Sequence, residues 1–119
     1  MLKVLYVDDQ KENLTVFRIT FKKEYKVFVA NNVEEAFEIL NNNDINVVLA
    51  DHRMPDMTGI EFLAQVGDKF PLIYRIVISE YVNDEIIRNA MKAYDFTGCM
   101  GKPWDNEELK ALIDKAQAG

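Results

Sequence analysis

The strongest constraint on how this chain can fold comes from two uninterrupted apolar runs, Val47-Val48-Leu49 and Ile76-Val77-Ile78. A strand with one face in water alternates apolar and polar residues, whereas a strand buried on both faces is apolar throughout. Both runs are therefore predicted to be inner strands of a parallel sheet. Such a sheet needs helices on both of its faces to cover it.

The segments around these two runs alternate between strand-like and helix-like patterns. Five short stretches rich in Val, Ile, Leu and Phe are predicted strands: Leu2–Val7, Lys26–Ala30, Val47–Ala50, Arg75–Ser79 and Phe96–Met100. The stretches between them carry apolar residues at helical spacing, as in the i, i+3, i+7 series of Leu14, Phe17 and Phe21. This order predicts a doubly wound α/β fold with a five-stranded parallel sheet and helices on both faces.

Helix faces and helix starts can be located in the same way. The apolar faces predicted for the remaining helices are Val33/Ala36/Phe37/Leu40, Ile60/Leu63/Ala64, Ile86/Ala90/Met91 and Leu109/Leu112/Ile113/Ala116. Asn32, Thr58 and Asp105 each precede a glutamate by three residues, the spacing of a capping box at a helix start.

Composition excludes several classes of protein. The chain has 119 residues, with 20 acidic and 14 basic side chains and a net charge of −6, which suits one domain and argues against a broad nucleic-acid-binding face. One cysteine and one histidine argue against an internal disulfide, a cysteine zinc site or a Ser-His-Asp triad. No apolar run approaches the ~20 residues that cross a membrane, and no signal peptide is recognisable, so the expected location is the cytoplasm.

Polar side chains follow the predicted strands at the point where each strand ends. Asp8-Asp9 follows the first strand, Asp51 the third, Ser79 closes the fourth, and Lys102 follows the fifth. Right-handed crossovers bring these carboxyl ends to one edge of the sheet, where doubly wound folds bind ligands. Converging carboxylates repel one another unless a hard cation such as Mg²⁺ binds between them. The pattern predicts a carboxylate that can be phosphorylated, with a metal ion and an ammonium group neutralising the phosphate. Each acid taken singly is also compatible with an ordinary solvated turn.

A resemblance to a known family rests on four elements in order: Asp8-Asp9, the run Asp51–Gly59 (DHRMPDMTG), Ser79, and Lys102-Pro103-Trp104. Together they resemble the receiver domain of bacterial two-component response regulators, and the resemblance covers essentially the whole chain. It implies a flavodoxin-like fold and one receiver domain over residues 1–119. That domain would stand alone or form the N-terminal part of a longer response regulator.

The resemblance also implies a role for each site residue. Asp51 would accept a phosphoryl group from a partner histidine kinase or phosphotransfer protein. The ligands of a Mg²⁺ cofactor would be Asp9 directly, Asp8 through water, Asp51, and the backbone carbonyl of Arg53. Lys102 would contact the phosphoryl group, and Ser79 would be the switch hydroxyl. Pro103 matches a family proline that usually follows a cis peptide bond. Such a domain is a signalling switch that supports its own phosphotransfer and slow dephosphorylation, and is not an enzyme in the usual sense.

Phosphorylation in this family changes a protein-interaction surface, which would span about Asn83 to Ala116 here. An effector, an output domain or a second copy of the domain would bind that face, formed by the fourth helix, fifth strand and fifth helix. Neither nucleic acid nor membrane is an expected partner of this domain.

Four positions are expected to modulate the chemistry. Glu80 stands where the family usually has Ala or Gly, and its charge should slow loading from an anionic donor. Arg53 and Tyr81 would flank the approach of the hydrolytic water and slow the loss of phosphate. Cys99 replaces the aromatic residue that usually couples to the switch hydroxyl.

Three other functions compete with this interpretation. Glu80 and Cys99 motivate a pseudo-receiver that binds partners with little or no phosphorylation. A magnesium-dependent phosphatase would usually carry a second acid two residues after its nucleophile, where this chain has Arg53. A flavin electron carrier of the same fold would need a Ser/Thr/Gly-rich phosphate loop after the first strand, where this chain has Asp8-Asp9-Gln10-Lys11.

Overall fold

Strands and helices alternate along the whole of the described chain. The structure, a computed structural model, describes residues 1–80, 85–94 and 98–118. Its elements are β1 (Lys3–Val7), α1 (Lys11–Phe21), β2 (Lys26–Ala30), α2 (Val33–Asn42), β3 (Val47–Asp51), α3 (Gly59–Lys69), β4 (Tyr74–Ser79), α4 (Glu85–Ala93), β5 (Gly98–Gly101) and α5 (Asn106–Ala118). None of the helices described is both long and apolar enough to cross a bilayer.

The strands form one parallel sheet in the order β2-β1-β3-β4-β5. The predicted doubly wound fold is therefore confirmed, and its strand order is the flavodoxin-like one. Every residue of β3 is buried, as are the last four of β4, because both faces of these strands are covered by helices. In this order β2 lies on one side of β1, whereas β3, β4 and β5 follow on the other side. The topological switch point therefore lies between β1 and β3.

The two faces of the sheet belong to two separate hydrophobic cores. Leu5 and Val7 of β1 point into the core beneath α2, α3 and α4, whereas Val4 and Tyr6 point into the core beneath α1 and α5. Alternate residues of a strand face opposite sides, so one strand serves both cores. Burying an aliphatic or aromatic side chain stabilises a fold by about 1.5–3 kcal/mol.

All three predicted helix caps are present. Asn32 Oδ1 accepts a hydrogen bond from the backbone N–H of Glu35 at 2.8 Å. Equivalent bonds join Thr58 to Glu61 and Asp105 to Glu108. A cap of this kind is worth about 1 kcal/mol, and the three caps fix where α2, α3 and α5 begin.

One of the three residues predicted for the apolar face of the fourth helix is wrong, whereas Ala90 and Met91 do contact the core. Ile86 is 66% exposed, whereas Ile87 is buried and Ala90 packs beside it in the core. Neighbouring helical residues differ by about 100° in direction, and Ile86 and Ile87 both match the spacing to Ala90. Hydrophobic spacing alone therefore did not choose between them.

Some boundaries and positions also differ from the sequence-based expectation. The fifth strand is described from Gly98 to Gly101 and ends one residue later than predicted, because Gly101 pairs with Ser79. Phe96, Tyr81 and the start of the predicted interaction surface at Asn83 lie outside the described residues.

Candidate functional site

The register between β1 and β3 brings the first acidic pair to Asp51. Val7 pairs with Ala50, so Asp8 and Asp51 are the next positions on the two neighbouring strands. One carboxylate oxygen from each of Asp8, Asp9 and Asp51 lies within 4.8 Å of the others. This cluster sits at the carboxyl ends of the strands, as the sequence predicts. It also lies at the topological switch point between β1 and β3, where folds of this kind bind ligands.

The register on the other side of β3 adds the hydroxyl and the lysine. Ser79 pairs with Gly101, and the backbone N–H of Lys102 donates to the Ser79 carbonyl at 3.1 Å. Ser79 is buried at the end of β4. The Lys102 ammonium donates to Asp51 Oδ2 at 3.0 Å and to Asp8 Oδ2 at 3.2 Å. The predicted residues therefore converge on one edge of the sheet.

Asp8 lies beneath the site and is fully buried. Its Oδ1 accepts the backbone N–H of Gln10 at 2.9 Å, at the start of α1. Its Oδ2 accepts from the Tyr6 hydroxyl at 2.7 Å, the Asn13 amide at 3.1 Å and Lys102. Sequence analysis missed Tyr6 and Asn13. Tyr6 lies two residues before Asp8, and residues two apart in a strand face the same side. This spacing could have indicated that the Tyr6 hydroxyl lies near Asp8.

Burial and charge act in opposite directions at Asp51 and Lys102. Burial raises the pKa of Asp51, the Lys102 ammonium lowers it, Asp8 raises it, and the result is a pKa above the usual aspartate value. Burial alone would lower the pKa of Lys102, but the carboxylates of Asp51 and Asp8 outweigh burial and raise it. Lys102 is therefore an ammonium at neutral pH, placed between two carboxylates.

The donor set fits a hard divalent cation. Three carboxylates and one ammonium leave two formal negative charges in one cluster. The clustered ligand atoms are all oxygens, which is the preference of Mg²⁺ and Ca²⁺. Asp8 and Asp51 are buried, whereas Asp9 is exposed and gives access from solvent.

A cavity of about 470 Å³ opens over these groups. Its lining residues are Asp9, Gln10, Asn13, Asp51, Arg53, Ser79, Glu80 and Lys102. The exposed side chains of Arg53 and Glu80 stand at its rim, where the sequence predicts that they modulate access. The wall is polar and the cavity is open to solvent, which suits a small anion carried on a partner better than an apolar ligand.

Gly59 closes the loop between β3 and α3 against Asp51. A Cβ atom on Gly59 would lie 2.5 Å from the backbone oxygen of Asp51, closer than side-chain atoms approach backbone. The Gly59 N–H also donates to the carbonyl of His52 at 2.9 Å. Glycine is therefore required for the loop that carries Arg53 to pass this close to the strand end.

The other predicted site features are placed as follows. The Arg53 N–H lies 3.4 Å from Asp51 Oδ1, and the predicted metal-ligand role of the Arg53 carbonyl stays a prediction. The peptide bond between Lys102 and Pro103 is cis, as the resemblance implies. Cys99 packs against the core beneath α2, α3 and α4, where burial raises the pKa of its thiol, and it does not line the cavity.

Comparison with known proteins gives a consistent picture. Residues 4–114 match the family described as the response regulator receiver domain. The hydrogenase transcriptional regulatory protein HoxA of Cupriavidus necator is 36% identical over 113 residues, which are 95% of this chain and 23% of that protein. The sporulation initiation phosphotransferase F of Bacillus subtilis is 30% identical over 114 residues, which are 95% of this chain and 91% of that protein.

Solved structures agree with this assignment. The Vibrio cholerae chemotaxis protein CheY4 superimposes with a TM-score of 0.89 and 26% identity, covering 98% of each chain. The chain spans less than a third of the length of HoxA and nearly all of the Bacillus protein. Sequence, topology and site geometry therefore agree that the chain belongs to the response regulator receiver domains, the signalling switches of two-component systems.

Proposed function

We propose that residues 1–119 form one receiver domain that accepts a phosphoryl group at Asp51 in a Mg²⁺-dependent reaction. One observation carries this proposal. The Asp51 carboxylate lies at the end of a central strand, 3.0 Å from the Lys102 ammonium and clustered with two further carboxylates. The cluster opens to solvent through a polar cavity, so a partner can present a phosphoryl group to it.

The phosphoryl donor would be a phosphohistidine of a sensor histidine kinase or a phosphotransfer protein. One oxygen of Asp51 attacks phosphorus, an O–P bond forms, and the P–N bond to the imidazole breaks. The electron pair stays on the imidazole nitrogen, which then takes a proton from water. Lys102 already contacts both Asp51 and Asp8, so it can hold a phosphoryl oxygen with only a short movement.

Mg²⁺ would be held by Asp8, Asp9, Asp51 and the Arg53 carbonyl. When bound, it would neutralise charge on the transferring phosphoryl group. Hydrolysis of the acyl phosphate should be slow, because the Arg53 side chain at the cavity rim cannot act as a base for water.

Phosphorylation would favour one of two conformations of the domain, with Ser79 as the hydroxyl that moves toward the phosphate. The changed surface would lie within about Asn83 to Ala116 and would bind an effector, an output domain or a second copy. The names and lengths of the relatives support both domain arrangements: HoxA is a longer transcriptional regulator, and the Bacillus phosphotransferase has nearly the length of this chain. We place this switch in the cytoplasm.

Incubation with Mg²⁺ and a small acyl phosphate, followed by intact mass, tests the proposal. Wild type should gain the mass of one phosphoryl group, and Asp51→Asn should gain none because an amide is not a nucleophile. Asp56→Asn is the matched control, because Asp56 is an exposed acid on the same loop. If wild type gains no mass with the acyl phosphate or with any histidine kinase, the pseudo-receiver alternative replaces this proposal.

A further inference from the structure

The Tyr6 hydroxyl has a partner that the function proposed above does not explain. It donates to Asp8 Oδ2 at 2.7 Å, and both side chains are fully buried. A buried tyrosine hydroxyl usually finds an acceptor, but a backbone carbonyl would be enough. Here the acceptor is an acidic side chain of the proposed metal and phosphoryl site.

The aromatic ring of Tyr6 is held on two sides. It stacks on Phe17 of α1 with ring centroids 4.5 Å apart, and it meets the edge of Trp104 at 6.1 Å. A ring packed between two aromatic neighbours has little rotational freedom. The hydroxyl is therefore a fixed donor that projects from the core beneath α1 and α5 toward Asp8.

The other two donors to Asp8 Oδ2 are less suited to hold it. The hydrogen bond from Asn13 is longer, at 3.1 Å, and Asn13 lines the open cavity. Lys102 divides its ammonium between Asp8 and Asp51, and the proposed reaction draws it toward the phosphoryl group. Whenever Lys102 moves away, a buried Asp8 oxygen would lose charge-assisted hydrogen bonding, which is costly in a dry environment.

We propose that Tyr6 is a positioning residue for the metal: it holds Oδ2 of Asp8 and so leaves Oδ1 as the oxygen available to Mg²⁺ or to its bound water. Three donors occupy Oδ2, whereas Oδ1 accepts the Gln10 N–H and keeps more acceptor capacity. Hydrogen bonds to metal-binding carboxylates orient them in this way in many metal sites. This inference rests on the proposed function, because it assigns Tyr6 a role at the same site.

Mg²⁺ titration by calorimetry tests the inference with Tyr6→Phe. Phenylalanine keeps the ring and removes only the hydroxyl, so the stacking on Phe17 should persist. Mg²⁺ affinity should fall by about tenfold, the lower end of the range for losing an outer partner of a metal ligand. The matched control is Tyr25→Phe, which removes the same hydroxyl from a second tyrosine–aspartate pair, Tyr25 and Asp114, away from the site. That control should bind Mg²⁺ like wild type.

The Asp8→Asn background shows whether Tyr6 acts through Asp8. In this background Tyr6→Phe should cause no further loss of Mg²⁺ affinity, because the carboxylate it orients is gone. An equal loss in both backgrounds, or no loss in either, would overturn the inference while leaving the proposed function intact. Absence of Mg²⁺ binding and of phosphorylation in wild type would instead overturn both.

Fluorine NMR gives a second measurement that keeps the Tyr6 hydroxyl in place. The five tyrosines of the chain can be replaced by fluorotyrosine, and Tyr6 can be assigned by elimination with single Phe variants at the other four. Mg²⁺ should move the Tyr6 resonance and leave the Tyr25 resonance in place. A Tyr6 resonance that does not move while calorimetry detects Mg²⁺ binding would contradict the inference.

Discussion

A tyrosine hydroxyl, an aspartate and a lysine meet beneath the proposed site, where Tyr6 lies with Asp8 and Lys102. The same three kinds of group also meet on the surface beside α5, where Tyr25 lies with Asp114 and Lys110. The hydroxyl–carboxylate distances are 2.7 Å in the buried cluster and 2.6 Å in the surface cluster. The lysine–carboxylate distances are 3.2 Å and 2.7 Å. Hydrogen-bond lengths alone would rank the surface cluster as the stronger one.

Exposure reverses that ranking. The side chains of Asp8 and Lys102 are 0% and 19% exposed, whereas those of Asp114 and Lys110 are 34% and 42% exposed. Water and salt screen the surface charges, and exposed ion pairs contribute little to stability. In the buried cluster the same groups interact through a medium of low polarizability, so losing one partner has a large cost.

The pKa shifts of one aspartate in each region also differ with exposure. At Asp114 burial would raise the pKa, but the hydrogen bonds from Lys110 and Tyr25 outweigh it and the pKa falls below the usual value. At Asp51, which is paired with Lys102 of the buried cluster, burial outweighs the Lys102 ammonium and the pKa rises. For these two carboxyl groups, hydrogen-bonding partners outweigh desolvation at the more exposed Asp114, and desolvation outweighs the partners at the buried Asp51.

The largest predicted difference concerns the two lysines. Lys102→Met keeps the aliphatic stem and removes the ammonium, which leaves the buried Asp8 and Asp51 carboxylates repelling each other. We expect a loss of about 3 kcal/mol in the free energy of unfolding, measured in urea with a chelator present. Mg²⁺ should restore part of that loss, because a cation then takes the place of the ammonium.

The matched variant for this prediction is Lys110→Met, which removes an exposed ammonium from the surface cluster. Its loss of stability should be much smaller and should not respond to Mg²⁺. Equal losses for Lys102→Met and Lys110→Met would contradict the comparison.

Acid should act on the two regions in opposite directions. The pKa of Asp51 is raised, so the folded state takes up a proton more readily than the unfolded state. Wild type should therefore gain stability relative to Asp51→Asn as pH falls from neutrality toward the usual aspartate value of 3.8. The pKa of Asp114 is lowered, so its contribution should be lost as pH falls below 3.8, measured against Asp114→Asn.

Urea unfolding of the three proteins without divalent cations, from neutral to strongly acidic pH, measures both effects. Each variant is compared with wild type, which gives one difference in unfolding free energy for Asp51→Asn and one for Asp114→Asn. If both differences change in the same direction and in the same pH window, burial does not distinguish the two regions.

The smallest effect concerns an exposed charge at the cavity rim. Glu80→Ala should speed loading from an anionic acyl phosphate by a factor of about two to five at low salt, because one repelling carboxylate is removed. High salt should abolish the gain, since the charge is exposed and screened. Glu38→Ala, which removes an exposed acid from α2, is the control. A gain that persists at high salt would mean that Glu80 blocks access by its size.

The parts of the fold that depend on local pattern could be predicted from the sequence. Continuous apolar runs identified the inner strands, and the acids at strand ends followed from the parallel topology. Position within a helix was harder, because Ile86 and Ile87 are both compatible with the same spacing. The prediction of the inner strands did not depend on an exact position. A run that is apolar throughout is predicted to be a buried strand even if its boundaries are misplaced by one residue.

Contacts between distant segments could not be predicted. The hydrogen bond from Tyr25 to Asp114 joins residues 89 positions apart, and neither residue stands in a recognisable motif. The role of Gly59 also depends on a close approach to the Asp51 backbone that only the folded chain shows. Tyr6 lies within the apolar run of the first strand, and an apolar pattern carries no information on the hydrogen-bond partner of a hydroxyl.

The position of Trp104 makes the domain its own optical reporter. It is the single tryptophan of the chain, it lies two residues after Lys102, and its ring meets the edge of Tyr6. Excitation at the long-wavelength edge of the protein's ultraviolet absorption therefore excites only Trp104. The Trp104 ring packs against Tyr6, whose hydroxyl donates to Asp8. Rapid-mixing fluorescence can follow events at the acidic cluster in the unlabelled wild-type protein, on the time scale of the chemistry itself.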